Sequence, residues 1–136
     1  MSALTSERDT IRRSGDVLSL QAAAAKKYFA GALVARDAAG RATPGAVATT
    51  LLGVGRVKET VDNSLGAADA LVVTIERGIF QFANSTSTDE ITAADIGNSC
   101  YIVDDQTVAK TSATNTRSVA GTVFDVDDYG VWVDFR

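Results

Sequence analysis

The sequence contains no histidine. That removes serine–histidine and cysteine–histidine catalysis, the commonest general base and most zinc sites. There is one cysteine, Cys100, so neither an intramolecular disulfide nor a cysteine-based metal cluster can form. No apolar run approaches the roughly 20 residues that a membrane helix needs. The first twenty residues carry Glu7, Arg8, Asp9, Arg12, Arg13 and Asp16, with no apolar stretch of a secretory signal between them. The expectation is a chain made and folded in a cytoplasm, without membrane contact. A phosphate-binding glycine loop is missing too: Gly53-Val54-Gly55 runs into Arg56, Val57 and Lys58, lacking both a third glycine and a Gly-Lys-Ser/Thr ending. No cofactor, metal or small-molecule substrate is expected. Basic excess is also absent. The net charge is −4 and the pI about 4.7. Such a chain repels phosphate at long range, which argues against nucleic acid as a partner.

What remains is an ordinary globular composition, 46% hydrophobic and 22% charged over 136 residues, enough for one domain with its own core. Residues 1–20 differ from the rest: they are polar, carry both charge signs and show no sustained period. They read as an N-terminal arm, either extended or with a short helix over Thr5–Arg13 capped by Thr5 or Ser6. Residues 21–136 read as a β-rich domain. The alanine run after Gln21 permits a turn or two of helix. Tyr28 to Ala35 reads as one strand, Asp37-Ala38-Ala39-Gly40 as a turn, and Arg41 to Pro44 as the returning strand. Leu51 to Thr60 is extended, with bulges or bends at Gly53 and Gly55. Ala70 to Arg77, rich in β-branched residues, is the clearest strand; Gly78 bends it into Ile79–Phe82.

Asn84 to Asp89 is a polar loop, and Thr92-Ala93-Ala94-Asp95 a helical turn with Thr92 as its cap. Cys100–Val103 and Thr107–Lys110 are short strands. Ser118–Val126 and Val131–Phe135 form a last hairpin joined through Asp127, Asp128, Tyr129 and Gly130; its Val131, Val133 and Phe135 alternate with Trp132 and Asp134. Roughly eight short strands at this spacing predict a mainly β fold, a small barrel or sandwich-like domain with one or two helical turns. No internal repeat is visible.

Side-chain chemistry is sparse. Asp104 with Asp105, and Asp125 with Asp127 and Asp128, are carboxylate clusters. Two-carboxylate catalysis needs convergence in a cleft, and calcium needs several oxygens from one loop. Asp hydrogen-bonding to its own turn backbone explains both clusters more simply. Cys100, within Ser99-Cys100-Tyr101-Ile102-Val103, reads as a buried thiol in a strand. Tyr101, Tyr129 and Trp132 suit either a sugar platform or packing, and Tyr129 and Trp132 are candidates for a subunit interface. In the arm, Arg8, Arg12 and Arg13 stand before Val17, Leu18 and Leu20, a basic stretch followed by apolar anchors suited to gripping another subunit.

The order of several strings adds to this. Lys27-Tyr28-Phe29-Ala30-Gly31-Ala32-Leu33-Val34-Ala35 followed by Gly40-Arg41-Ala42-Thr43-Pro44-Gly45, then Gly53-Val54-Gly55-Arg56-Val57, Glu59-Thr60-Val61-Asp62-Asn63-Ser64 and Arg77 through Ser85, resembles the head decoration (capsid cement) proteins of tailed phages and prophages. Ile91 to Gly97, Tyr101 to Ala109, Arg117 to Gly121 and Gly130 to Val133 continue the resemblance, which spans about residues 25 to 135. These are turn and strand signatures without a chemical motif. The resemblance implies a compact β domain that assembles as homotrimers. It would sit on the outer capsid surface of the virion, bind the major capsid protein and carry no catalytic residues. Residues 1–20 lie outside it. The rival expectation is a sugar- or receptor-binding β module of the virion.

Overall fold

The computed structural model describes residues 2–136. Among these the chain forms twelve short strands and two 3-10 turns, Ser87–Asp89 and Ala93–Asp95. The strands are β1 Val17–Gln21, β2 Lys26–Tyr28, β3 Leu33–Arg36, β4 Ala42–Pro44, β5 Leu52–Val57, β6 Val61–Asn63, β7 Val72–Glu76, β8 Ile79–Phe82, β9 Ser99–Ile102, β10 Val108–Ala109, β11 Val119–Asp127 and β12 Gly130–Asp134. One five-stranded antiparallel sheet has the order β1-β7-β5-β3-β4, a second the order β10-β9-β11-β12-β8, and β2 pairs with β6. The mainly β, sandwich-like class is thus observed. Each five-stranded sheet curls until its outer strands approach at one parallel bridge, Ala22 with Ala42 and Ala83 with Thr107, without closing a barrel.

Although no repeat is visible in the sequence, the two sheets have the same design. Reading β1, β3, β4, β5, β7 against β8, β9, β10, β11, β12 gives the same spatial order and the same antiparallel pairings. The match extends to single hydrogen bonds. Val57 N donates to Ala32 O as Val123 N does to Asn98 O; Gly31 N donates to Val57 O as Gly97 N does to Val123 O. Ala32 N to Phe29 O repeats as Asn98 N to Asp95 O, Asp37 N to Arg41 O as Val103 N to Thr107 O, and Arg77 N to Asp16 O as Phe135 N to Gly78 O. Gly31 and Gly97 take φ of +87° and +92°, a left-handed conformation that glycine adopts without steric cost. A bulge falls at Val54 in β5 and at the corresponding Ala120 in β11. The chain is therefore two five-stranded halves in tandem. Alternating apolar residues and turn chemistry build this design from different side chains, which hides the repeat.

The halves share a boundary. Val34 faces a first core with Tyr28, Val57, Val73 and Ile75, while Leu33 and Ala35 on the same strand face a second core with Phe82, Ile102, Val123, Val131 and Val133. Burial of both faces explains the unbroken apolar run in β3. A wholly buried leucine such as Leu33 contributes about 1.5–3 kcal/mol. At Gly53 the halves meet backbone to backbone: a Cβ there would lie 2.1 Å from Ala120 O.

Several expectations need correction. Tyr28–Ala35 is not one strand; the turn at Phe29–Ala32, set by Gly31, divides it into β2 and β3. The alanine run is not helical, because Ala22 is buried at the end of β1's path and Ala25 takes φ +57°. The arm ends at Asp16, since Val17–Gln21 pairs along its length with β7. No helix forms over Thr5–Arg13. The polar loop after Asn84 holds a 3-10 turn that was not anticipated. The turn after Thr92 does form, with the capping box of Thr92 and Asp95. The Asp37–Gly40 hairpin and the Val131–Val133–Phe135 buried alternation match the reading. Gly78 carries the chain from the first sheet to the second, and Gly40 and Gly130, at φ +84° and +153°, sit at hairpin turns.

Candidate functional site

Residues 2–17 are exposed throughout, including Leu4 and Ile11. No ion pair joins Arg8, Arg12 or Arg13 to any described residue. The only hydrogen bond tying this segment to the domain is Arg77 N to Asp16 O; Thr10 N to Arg8 O and Ser14 Oγ to Asp16 are local. The three arginines therefore stand together on an uncovered segment. Val17, Leu18 and Leu20 do not share that freedom. Leu18 and Leu20 point inward and pack, half-buried, against the first core, while Val17 stays on the surface. Alternation along a strand makes this division, and the hydrophobic pattern alone could not distinguish a strand joining the sheet from free anchors.

Trp132 and Tyr129 lie on the β11–β12 hairpin but play different parts. Trp132 is half-buried and its indole N–H donates to Asp127 at 2.8 Å. Tyr129, at the hairpin tip, is 86% exposed. Asp127 also accepts from the amides of Tyr129 and Gly130 and from Gln81. These donors, the Trp132 indole foremost, hold the Asp127 carboxyl below the usual range. Asp125 accepts from Val126 N, and Asp104 from Gln106 N. Asp104 and Asp127 are thus occupied with turn backbone and Asp125 with its neighbour in β11. Among the described residues no three His, Cys, Asp or Glu side chains converge as a metal site would require.

Tyr101 is half-buried and pairs with Val119 at the start of β11, the opposite end of that strand from the Tyr129 hairpin tip, so the three aromatics do not make one platform. Tyr129 does border an open groove with Asn84, Glu90, Thr92 and Asp128. Cys100 is wholly buried, and burial pushes its thiol up to about 11. Among the exposed apolar residues that sequence reasoning missed are Phe124 and Leu65. Phe124 is 52% exposed, turned outward next to the buried Val123, where the register of β11 shifts. Leu65 is fully exposed in the turn after β6. The bulge leaves no local mark in the sequence; the Asn63-Ser64-Leu65-Gly66 turn does.

No protein-family model matches this chain, and the searches of curated proteins and of solved structures return no match.

Proposed function

We propose that this chain is a non-enzymatic structural protein of a tailed-phage virion, binding the outer head surface as homotrimers and stabilising the expanded capsid. The observation that carries the reading is the contrast between body and arm. Every buried side-chain nitrogen and oxygen among the described residues has a partner within the body, while Ser2–Asp16 lies exposed with three unpaired arginines. A pre-folded body with an uncovered arm suits attachment to a surface made by other subunits. Binding only the expanded shell stabilises that state by mass action, and many copies with several contacts each multiply a modest affinity. The order of the turn and strand signatures supports the same partner, the major capsid protein.

The test is sedimentation of purified protein with expanded and unexpanded heads, with copy number measured in whole virions. Saturable binding to expanded heads at hundreds of copies is expected. A handful of copies, or equal binding to both head forms, would overturn it. One observation favours the second reading, a sugar- or receptor-binding module: Tyr129 stands exposed beside the carboxylates of Asp128 and Glu90, an aromatic face with acceptors for hydroxyls. A glycan array comparing the unmodified chain with Tyr129→Ala separates the two.

A further inference from the structure

The duplicated design provides an internal control on each edge strand. At the two ends of β1, Asp16 O accepts from Arg77 N and Ala22 N donates to Leu71 O. Backbone groups alternate in direction along an antiparallel pair. Leu18 and Leu20 therefore turn theirs to β7, and Val17 and Ser19 turn theirs away, to the open edge of the sheet. β8 is the corresponding strand of the second half, with Phe80 in the place of Leu18 and Gln81 in the place of Ser19. There the first half contributes a side chain: the Arg56 guanidinium lies 4.2 Å over the Phe80 ring, and Gly31 and Arg56 line the groove beside Ile79–Phe82, while Gln81 itself is exposed. Leu18 instead opens on a groove lined by Arg13, Ser14, Val17 and Ser19, all from the arm and the strand itself.

Exposed sheet edges are normally blunted by proline, lysine, a bulge or shortness. β4 ends in Pro44 and β10 has two residues. β1 is five residues of Val-Leu-Ser-Leu-Gln paired without a bulge, and has none of these devices. What fits it is another extended strand. The arm is exposed and leads away from its own domain; residues 2–16 span up to about 50 Å when extended. Within it Ile11 is 93% exposed, the single large apolar side chain between Leu4 and Val17.

We propose that the open edge of β1 accepts residues Thr10–Ser14 from the arm of a second copy of this chain, so that copies associate head to tail by arm exchange. Ile11 then lies on the side of Leu18 and Leu20, and the N–H and C=O groups of Val17 and Ser19 pair with the incoming strand. Residues 2–9 continue past the edge and stay available to a further surface. A head-to-tail contact closes into a ring when its rotation allows. The inference rests on the trimer reading only for the number of copies in that ring, and its test needs no capsid.

The experiment mixes full-length single variants. Arg12→Cys with Ser19→Cys is expected to form a disulfide-linked pair under mild oxidation, while Arg12→Cys with Gln81→Cys, at the corresponding exposed position of β8, does not. Ser19→Pro removes an N–H on the open edge only, a position where proline is tolerated. It is expected to keep the circular dichroism of the unmodified chain and to weaken self-association by at least about tenfold in sedimentation equilibrium. Should Ser19→Pro unfold, removal of residues 2–14 gives the same readout. Three results overturn the proposal: a full chain that stays monomeric at 100-micromolar order, self-association unchanged by blocking the edge or removing the arm, or a double Arg12→Cys/Ser19→Cys chain that closes within one molecule, meaning the arm folds back on its own strand. Arm exchange without binding to heads would sink the decoration reading and leave this one standing.

Discussion

Replacing Tyr28 with phenylalanine removes one oxygen atom from a side chain that is wholly buried. That oxygen donates to Ala42 O and accepts from Ala23 N at 2.9 Å, tying the end of the first strand to the fourth where the curled sheet nearly closes. The ring keeps its packing, so the change isolates the hydrogen bonds. The two peptide groups left behind keep each other, Ala23 N to Ala42 O at 3.2 Å. The loss is therefore that of two net hydrogen bonds, about 1–3 kcal/mol together, rather than of two orphaned buried groups. For a domain of this size each kcal/mol lowers the thermal midpoint by about 4 °C, so a drop of about 4–12 °C is expected. Urea unfolding should show a lower midpoint at an unchanged slope, which reports stability without altered compactness. Tyr101→Phe is the control: Tyr101 is half-buried and its hydroxyl has no described partner, so a change within about 0.5 kcal/mol is expected. A Tyr28→Phe protein as stable as the unmodified chain would mean that the edges of the sheet are held by packing alone, and the argument from the hydroxyl would fall.

Gly53→Ala should cost at least about 3 kcal/mol or prevent folding, because the new methyl meets Ala120 O at 2.1 Å with backbone on both sides; a soluble variant with an unshifted urea midpoint would contradict the close approach of the two halves. Burial raises the Tyr28 phenol above 10.0 and the Cys100 thiol from 9.0 to about 11. The unfolded chain loses these protons first, so this stability is complete below about pH 9 and is lost as pH rises toward 11 and beyond. A urea midpoint flat from pH 8 to 11 would refute it. On the acid side, hydrogen bonding lowers the carboxyls of Asp62, Asp69, Asp89, Asp127 and Asp134. Their contribution holds above the ordinary carboxyl range and fades as pH falls below it; Asp127→Ala should reduce that acid dependence and alter Trp132 fluorescence. Deleting residues 2–15 should leave the thermal midpoint within a few degrees yet weaken binding to expanded heads, and replacing Arg8, Arg12 and Arg13 should reduce binding most at low salt. An unfolded truncation would place the arm in the core.

Local signals in the sequence were strongest where one residue type dictates geometry. Asp37 to Gly40, the capping box at Thr92 and Asp95, and the alternation through Phe135 each follow from short-range hydrogen bonding or from a two-residue period, and each stands in the structure. The break at Gly31 was missed because the apolar run across it is continuous, and that continuity has a tertiary cause: β3 is buried by both halves. The arm's boundary was misplaced for a related reason, since Val17–Gln21 becomes a strand only by finding β7 far along the chain.

The sequence by itself determined which residue types are missing, the mainly β class, most of the turns, and a polar segment of three arginines with little to bury. Only the tertiary structure decided that the domain is one design used twice, that Leu18 and Leu20 belong to a core, that Trp132 is held by Asp127 while Tyr129 is free, and that one sheet edge stands open. The physical reason is range. Turn chemistry and periodicity act over a few residues and are written in them; strand pairing and the sharing of one strand between two cores are set by contacts between distant segments, which many different side chains satisfy equally well.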